Sequence, residues 1–245
     1  LNALITWIDV RKLGGSMSIV RMGLIAKKPE WSGDEFRKHW LGHHGPLVRN
    51  APGLSQYRQN HIVDRVQRGI DFTRDPWEYD GFSQLWIADA QKPFGEGELP
   101  QKIIADENYF LGRLNILTVK QTTVVDVPSD EQRARLKKRM SLIRRRPDLS
   151  EQEFLNEWRV HAELVREMPG VKGYRQNAVI QREVQKGTAC AYNELPIDGV
   201  VEFWFESTDT LQEAFASAAG VKTMDHAKTF LAGITAFLVE EHRII

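Results

Sequence analysis

The chain has a single cysteine, no net charge and no long apolar run. Cys190 alone cannot build a disulfide framework or a thiolate metal cluster, which suits a reducing cytoplasm. Lysine and arginine number 33, and so do aspartate and glutamate. No global field therefore draws the protein to DNA, RNA or a membrane surface. No apolar stretch approaches the roughly 18–20 residues needed to span a bilayer. Phosphate-cradling glycine loops are missing too, with neither a P-loop nor GxGxxG present. What remains is the composition of a soluble globular protein, 42% hydrophobic and 27% charged.

The most informative feature present is a segment written twice. RMGLIAKKPEWSGDEFRKHWLGHHGPLVRNAPGLSQYRQN begins at Arg21, and RMSLIRRRPDLSEQEFLNEWRVHAELVREMPGVKGYRQN begins at Arg139. The offset is about 118 residues (Met22 to Met140) and slips by one near Gly45-Pro46. So long a period excludes solenoids and propellers and makes each copy a domain-sized unit. The expected boundaries are 17–125 and 137–245, joined by a polar linker at 126–136. Residues 1–16 have no counterpart and read as an extension ahead of Met17, too poor in basic residues for a signal peptide.

Each copy reads as β-α-β-β-α-β. An apolar strand stops at a proline (Ile19–Ala26, and its counterpart Lys138–Ile143). Ser32 with Glu35, and Ser150 with Glu153, form capping boxes. Phe36, Trp40, His43 and Leu47 follow at helical spacing, as do Phe154, Trp158, His161 and Val165, until Pro-Gly ends each helix. Long strands at 54–63 and 171–181, loops at 64–79 and 182–197, strands opening at Asp80-Gly81 and Asp198-Gly199, helices near 90–112 and 208–232, and final strands complete each unit. This is the split βαβ, ferredoxin-like arrangement. With both helices on one face, a four-stranded sheet needs a cover on the other, and the second copy supplies one. The fold class expected is α+β: two such repeats packed sheet to sheet as a pseudo-dimer within one chain, with further homo-oligomers possible.

F-x-x-x-W-x-x-H-x-x-L-V, P-G-L-x-x-Y-x-Q-N-H and D-G-x-x-x-L-W together resemble the EthD domain of the dimeric α/β-barrel superfamily. The resemblance covers most of 18–125 and 137–243. It is looser in the second copy, which has Ala178 for His61 and Ala162-Glu163 for His44-Gly45. It implies a two-sheet barrel. It also implies a small-molecule enzyme linked to catabolism of ethers or aromatics or to polyketide tailoring, loosely an oxidoreductase. Relatives include muconolactone-type isomerases, cofactor-free monooxygenases and some haem-binding barrels.

His43 and His161, each three residues after a tryptophan on the apolar stripe, are the leading acid/base candidates; a core histidine bonded to a carbonyl is the competing reading. His44 leans to the surface or a helix end. On the YRQN strand, Tyr57, Gln59 and His61 share one face and Arg58 and Asn60 the other. Tyr57, His61 and Tyr174 are candidate donors to a substrate, Asn60 a candidate contact, and Arg58 and Arg175 candidate bridges between sheets. Asp80 and Asp198 either orient a histidine or cap a turn. Trp40, Trp86 and Trp204 wall a pocket or fill the core.

His39 and His43 lie four apart, but Glu157 and His161 stand there in the second copy. That leaves two metal ligands without a clear third, and no metal is expected. No organic cofactor is expected either; haem on His43 or His161 is the minor alternative. The basic run Arg133–Arg146 is broken by strand residues, so it reads as local charge near a cleft rather than a nucleic-acid patch. The function expected is acid/base or cofactor-independent oxidative chemistry on a carbonyl-containing or aromatic compound, centred on the first copy. A muconolactone-type isomerase or a non-catalytic binding barrel is the alternative.

Overall fold

A computed structural model describes residues 18–87 and 97–245. The first repeat contains β1 (Ser18–Lys27), α1 (Gly33–His39), a π-helical turn (Trp40–His44), α2 (Gly45–Arg49), β2 (Leu54–Asp64), β3 (Gly81–Ile87), α3 (Glu98–Phe110) and β4 (Leu111–Val125). A short helix, α4 (Asp130–Arg133), lies in the linker. The second repeat contains β5 (Lys137–Arg145), α5 (Glu151–Arg166), β6 (Gly173–Gln185), a two-residue β7 (Thr188–Ala189), β8 (Gly199–Phe205), α6 (Thr208–Ala216), α7 (Ala218–Phe230) and β9 (Leu231–Arg243). The expected extension at 1–16, Met17 and the helix start near Pro93 lie outside the described residues.

Both capping boxes form as the sequence requires: the Ser32 and Ser150 hydroxyls accept from the Glu35 and Glu153 amides, and each glutamate reaches back. Gly53 and Gly170 close the first helical segments with φ of 76° and 74°, a left-handed conformation that costs glycine little. Within each repeat the strands order as fourth-first-third-second (β4-β1-β3-β2 and β9-β5-β8-β6), all antiparallel. The two sheets then join at both edges, β2 to β9 and β4 to β6. An eight-stranded barrel results, with no open edge along those strands.

The barrel interior is apolar in its body, with Val20, Met22, Phe82, Met140, Leu142, Val200 and Phe237. Around Lys138, however, it is polar. The Lys138 ammonium lies 2.7 Å from Glu202 and 2.5 Å from Glu241, and donates to Asn60 at 2.8 Å. Asn177 and Gln84 donate to Glu202 at 3.0 Å each. Burial alone would raise the Glu202 carboxyl, but Lys138 and Arg175 outweigh it and hold the group at about 2. Arg58 reaches Asp130 on α4 (2.7 Å) and Glu241 on β9 (3.1 Å), tying the first repeat to the linker and the second repeat.

The long β2–β3 loop does similar work. Ile70 and Phe72 pack on the second repeat's core, and Asp75 pairs with Arg144 at 2.8 Å. In return Lys186 reaches Glu107 at 2.9 Å. No described helix is long and apolar enough to cross a membrane.

Candidate functional site

The first helical segment of each repeat is seated by a tryptophan. Trp40 lies against Gly81 and Trp158 against Gly199, so closely that a Cβ on either glycine would meet the ring. Gln59 and Gln176 donate to the Trp40 and Trp158 carbonyls at 2.7 and 2.8 Å. From this common anchor the two copies diverge. In the second, α5 continues regularly and places His161, three residues on, against Phe230 in a buried position.

The first copy has one more residue between its tryptophan and its Pro-Gly, and it absorbs that residue as the π turn, closed by the Gly45 amide donating to the Trp40 carbonyl. The extra residue pushes His43 outward, with 65% of its side chain exposed. His44 takes the buried place instead, against Phe110. The expectation that His43 faces the helix–sheet gap and His44 the surface is thus reversed, because the helix is wider by one residue at that point.

Around His44 the first copy gathers a cluster. Asp106 of α3 faces three histidines: His39 Nε2 at 2.8 Å, His44 Nδ1 at 2.7 Å and His43 Nε2 at 3.5 Å. Burial would raise the Asp106 carboxyl, but the hydrogen bonds from His44 and His39 prevail and hold it below the usual range. At the matching place in the second copy, counted back from Phe110 and Phe230, Asp106 becomes His226 and His39 becomes Glu157. The pair is kept with acid and base exchanged: His226 Nε2 lies 3.3 Å from Glu157. His226 Nδ1 lies 3.4 Å from His161 Nδ1, which makes a chain Glu157–His226–His161.

That chain ends at a cavity. His161, Trp158, Tyr174, Ser141, Arg139 and Phe203 line a small cavity of about 40 Å³, with Ile70 of the first repeat's loop at one wall. Burial and His226 lower the His161 imidazole to about 3, so it is neutral near pH 7. With Nδ1 turned to His226, its remaining nitrogen is the one left for a ligand. Burial pushes the Tyr174 phenol up to about 12. Among the described residues Arg139 has no carboxylate partner; it donates to the Arg68 carbonyl at 3.0 Å and stacks over Phe215, while one guanidinium nitrogen is buried with no partner among those residues. Burial, with Arg68 nearby, lowers it to about 9.

The other expected site residues lie elsewhere. His61 is buried and stacked on Trp40 with ring centres 4.4 Å apart, bonded to Gln59 at 2.9 Å, and pushed down to about 3 by burial and His242. The Tyr57 hydroxyl accepts from Gln59 at 3.1 Å, and burial raises its phenol. Asn60 points into the barrel and is held by Lys138, the alternation of β2 placing it there. Trp86 and Trp204 also face the barrel interior rather than a pocket, Trp204 with Lys138 4.8 Å above its ring. Asp80 and Asp198 orient no histidine; they accept from the Lys27 and Arg145 amides at 3.0 and 2.8 Å and cap the ends of β1 and β5.

Arg139, His226 and Asp106 were not singled out from the sequence. A signal existed for the last two, since D-E-N-Y-F and H-A-K-T-F end at matching phenylalanines.

The EthD domain matches the sequence twice, over residues 28–113 and 146–233. The chain belongs to the EthD family. No curated protein matches it. Among solved structures, an anthrone oxidase-like protein superimposes with a TM-score of 0.62 at 9% identity, covering 94% of each chain. A candidate monooxygenase from Lactobacillus acidophilus NCFM gives 0.55 at 7% identity, again over 94% of each. Another from Fusobacterium nucleatum subsp. nucleatum ATCC 25586 gives 0.58 at 10% over 92% of each. At such identities the likeness is one of fold, the dimeric α/β barrel drawn here from two EthD repeats in one chain.

Proposed function

We propose that this EthD protein is a small-molecule enzyme whose substrate site is the cavity of the second repeat, with His161 as the proton-transferring residue. The observation that carries this reading is the Glu157–His226–His161 chain ending at that cavity. A neutral imidazole of pKa about 3 is a weak base on its own. Passing its Nδ1 proton to His226, which Glu157 orients, lets it accept one from substrate at the other nitrogen. His226 and Glu157 are positioning residues.

Arg139 carries a buried charge at the cavity wall that no carboxylate among the described residues offsets, so the substrate is a compact aromatic or carbonyl compound that is anionic or becomes so on losing a proton. The walls are apolar and include Met168 and Met224, whose flexible thioethers adjust to a ring compound. The resulting carbanion can react with oxygen without an organic cofactor, in keeping with the oxidase and monooxygenase descriptions of the structural relatives. A haem suits neither candidate histidine. His43 stands in solvent, and the macrocycle exceeds the space beside His161.

Replacing His161 with Ala is expected to cut turnover of enolisable phenolic substrates by about 10²–10⁴-fold while leaving their affinity largely intact. Arg139→Leu is expected instead to weaken binding of the anionic compounds. Oxygen uptake, followed with product analysis, separates oxidation from isomerisation. Unchanged turnover in the His161 variant would sink the acid/base reading.

A further inference from the structure

The π turn has a second consequence, on the outer face of the first repeat and independent of the cavity. In a regular α-helix a residue five positions on lies about 140° around the axis, at 100° per residue. The wider π turn brings His44 back onto the face of His39 and His43, so all three rings converge on one carboxylate of α3. His39 Nε2 and His43 Nε2 both approach Asp106 Oδ1, and the three ligand atoms lie within 4.8 Å of one another. A tetrahedral ion with bonds of about 2.0–2.2 Å needs its ligand atoms roughly 3.3 Å apart. The two distances to Oδ1, 2.8 and 3.5 Å, bracket that value.

We infer that His39, His43 and Asp106 form a binding site for a divalent first-row transition metal ion of the zinc or cobalt type. Two imidazoles and one carboxylate are a donor set that suits such ions and disfavours magnesium and calcium, which prefer oxygen alone. His44 Nδ1, 2.7 Å from Asp106 Oδ2, fixes the carboxylate from behind so that Oδ1 faces the two histidines. Asp106 is buried while His43 is largely exposed, so the ion would sit at the surface with coordination positions open to water. The pattern of spacing alone offered only two ligands; α3 brings the third from 63 residues beyond His43 (106 − 43). The second repeat is a built-in control. It has Glu157 and His226 at the matching places, and its regular helix turns His161, the sequence counterpart of His43, into a buried position against Phe230.

The test is a titration of tag-free, chelator-treated full chain with Co²⁺, read by visible absorption and equilibrium dialysis. The expected result is one ion per chain, visible bands of an N/O-coordinated cobalt, displacement by Zn²⁺ and indifference to excess Mg²⁺. His43→Ala, exposed and therefore harmless to folding, should weaken uptake about tenfold or more. Glu157→Gln and His161→Ala should leave it unchanged. No cobalt bands in the parent, full affinity in the His43 variant, equal competition by Mg²⁺, or a loss caused by the second-repeat variants would each overturn the site. None of these outcomes bears on turnover in the cavity.

Discussion

The two repeats keep the same anchor and differ in what they hang on it. Both fix a tryptophan over a strand glycine and both place a histidine against the last phenylalanine of the following helix. In the first repeat that histidine, His44, is joined by His39 and His43 around an acid. In the second, His161 stands between a histidine–glutamate pair and a cavity. One inserted residue separates the outcomes. The number of titratable groups in the sequence favoured the first copy as the reactive one, yet the open space beside a relayed histidine lies in the second. A count of reactive side chains measures neither orientation nor room.

The barrel centre offers the sharpest way to break this comparison. Val20 in the first repeat corresponds to Lys138 in the second, and Gln84 to Glu202. Lys138→Val is expected to cost about 3–5 kcal/mol, because it removes the ammonium 2.7 Å from the fully buried Glu202 and leaves Glu241 to Arg58 and Arg133. Adding Glu202→Gln, which copies the first repeat more fully, should restore part of the loss. Equal stability of the single and double variants in denaturant melts would refute the coupling.

Gly81→Ala and Gly199→Ala should each cost about 1–3 kcal/mol, since either methyl meets a tryptophan ring packed without slack. Similar losses would show that the two anchors are equivalent. Only Gly199→Ala should also lower ligand affinity, because Trp158 walls the cavity.

The smallest effect near neutral pH belongs to His61. His61 titrates at about 3 when folded and near 6.5 when unfolded. Its neutral form therefore contributes stability that is complete above pH 6.5 and drains as the pH falls toward 3, where the folded state at last takes up the proton. His61→Ala copies Ala178 of the second repeat. Its deficit at pH 8, about 1 kcal/mol, should shrink below pH 6.5 and reverse in sign well before pH 3 in thermal melts. A deficit constant with pH would show that burial does not keep His61 neutral.

Much of this was legible beforehand for local reasons. Capping boxes, Pro-Gly stops and the two-residue alternation of YRQN are short-range rules, and they placed the helices and set Tyr57 and Gln59 opposite Arg58 and Asn60 correctly. The readings that the residues left open turn on something distant. Trp86 and Trp204 alternate into the barrel because the second sheet closes over them. Asp80 is consumed by the end of β1. The one-residue slip at Gly45-Pro46 was visible in the aligned copies, but its translation into a π turn requires the fixed points on either side, Trp40 over Gly81 and the packing of α2, which forbid the helix to shift as a whole.

By itself the sequence determined the duplication, the β-α-β-β-α-β order of each copy and the family, because these rest on patterns within a few turns of chain. Tertiary structure alone decided which histidines meet an acid, which meets a cavity and which is sealed in the core. Those outcomes depend on α3 and α7 crossing the first helices, on Ile70 of one repeat walling the other's cavity, and on a single residue of helical width. The first two are contacts between segments about 60 or more residues apart, set by the closed barrel that brings them together.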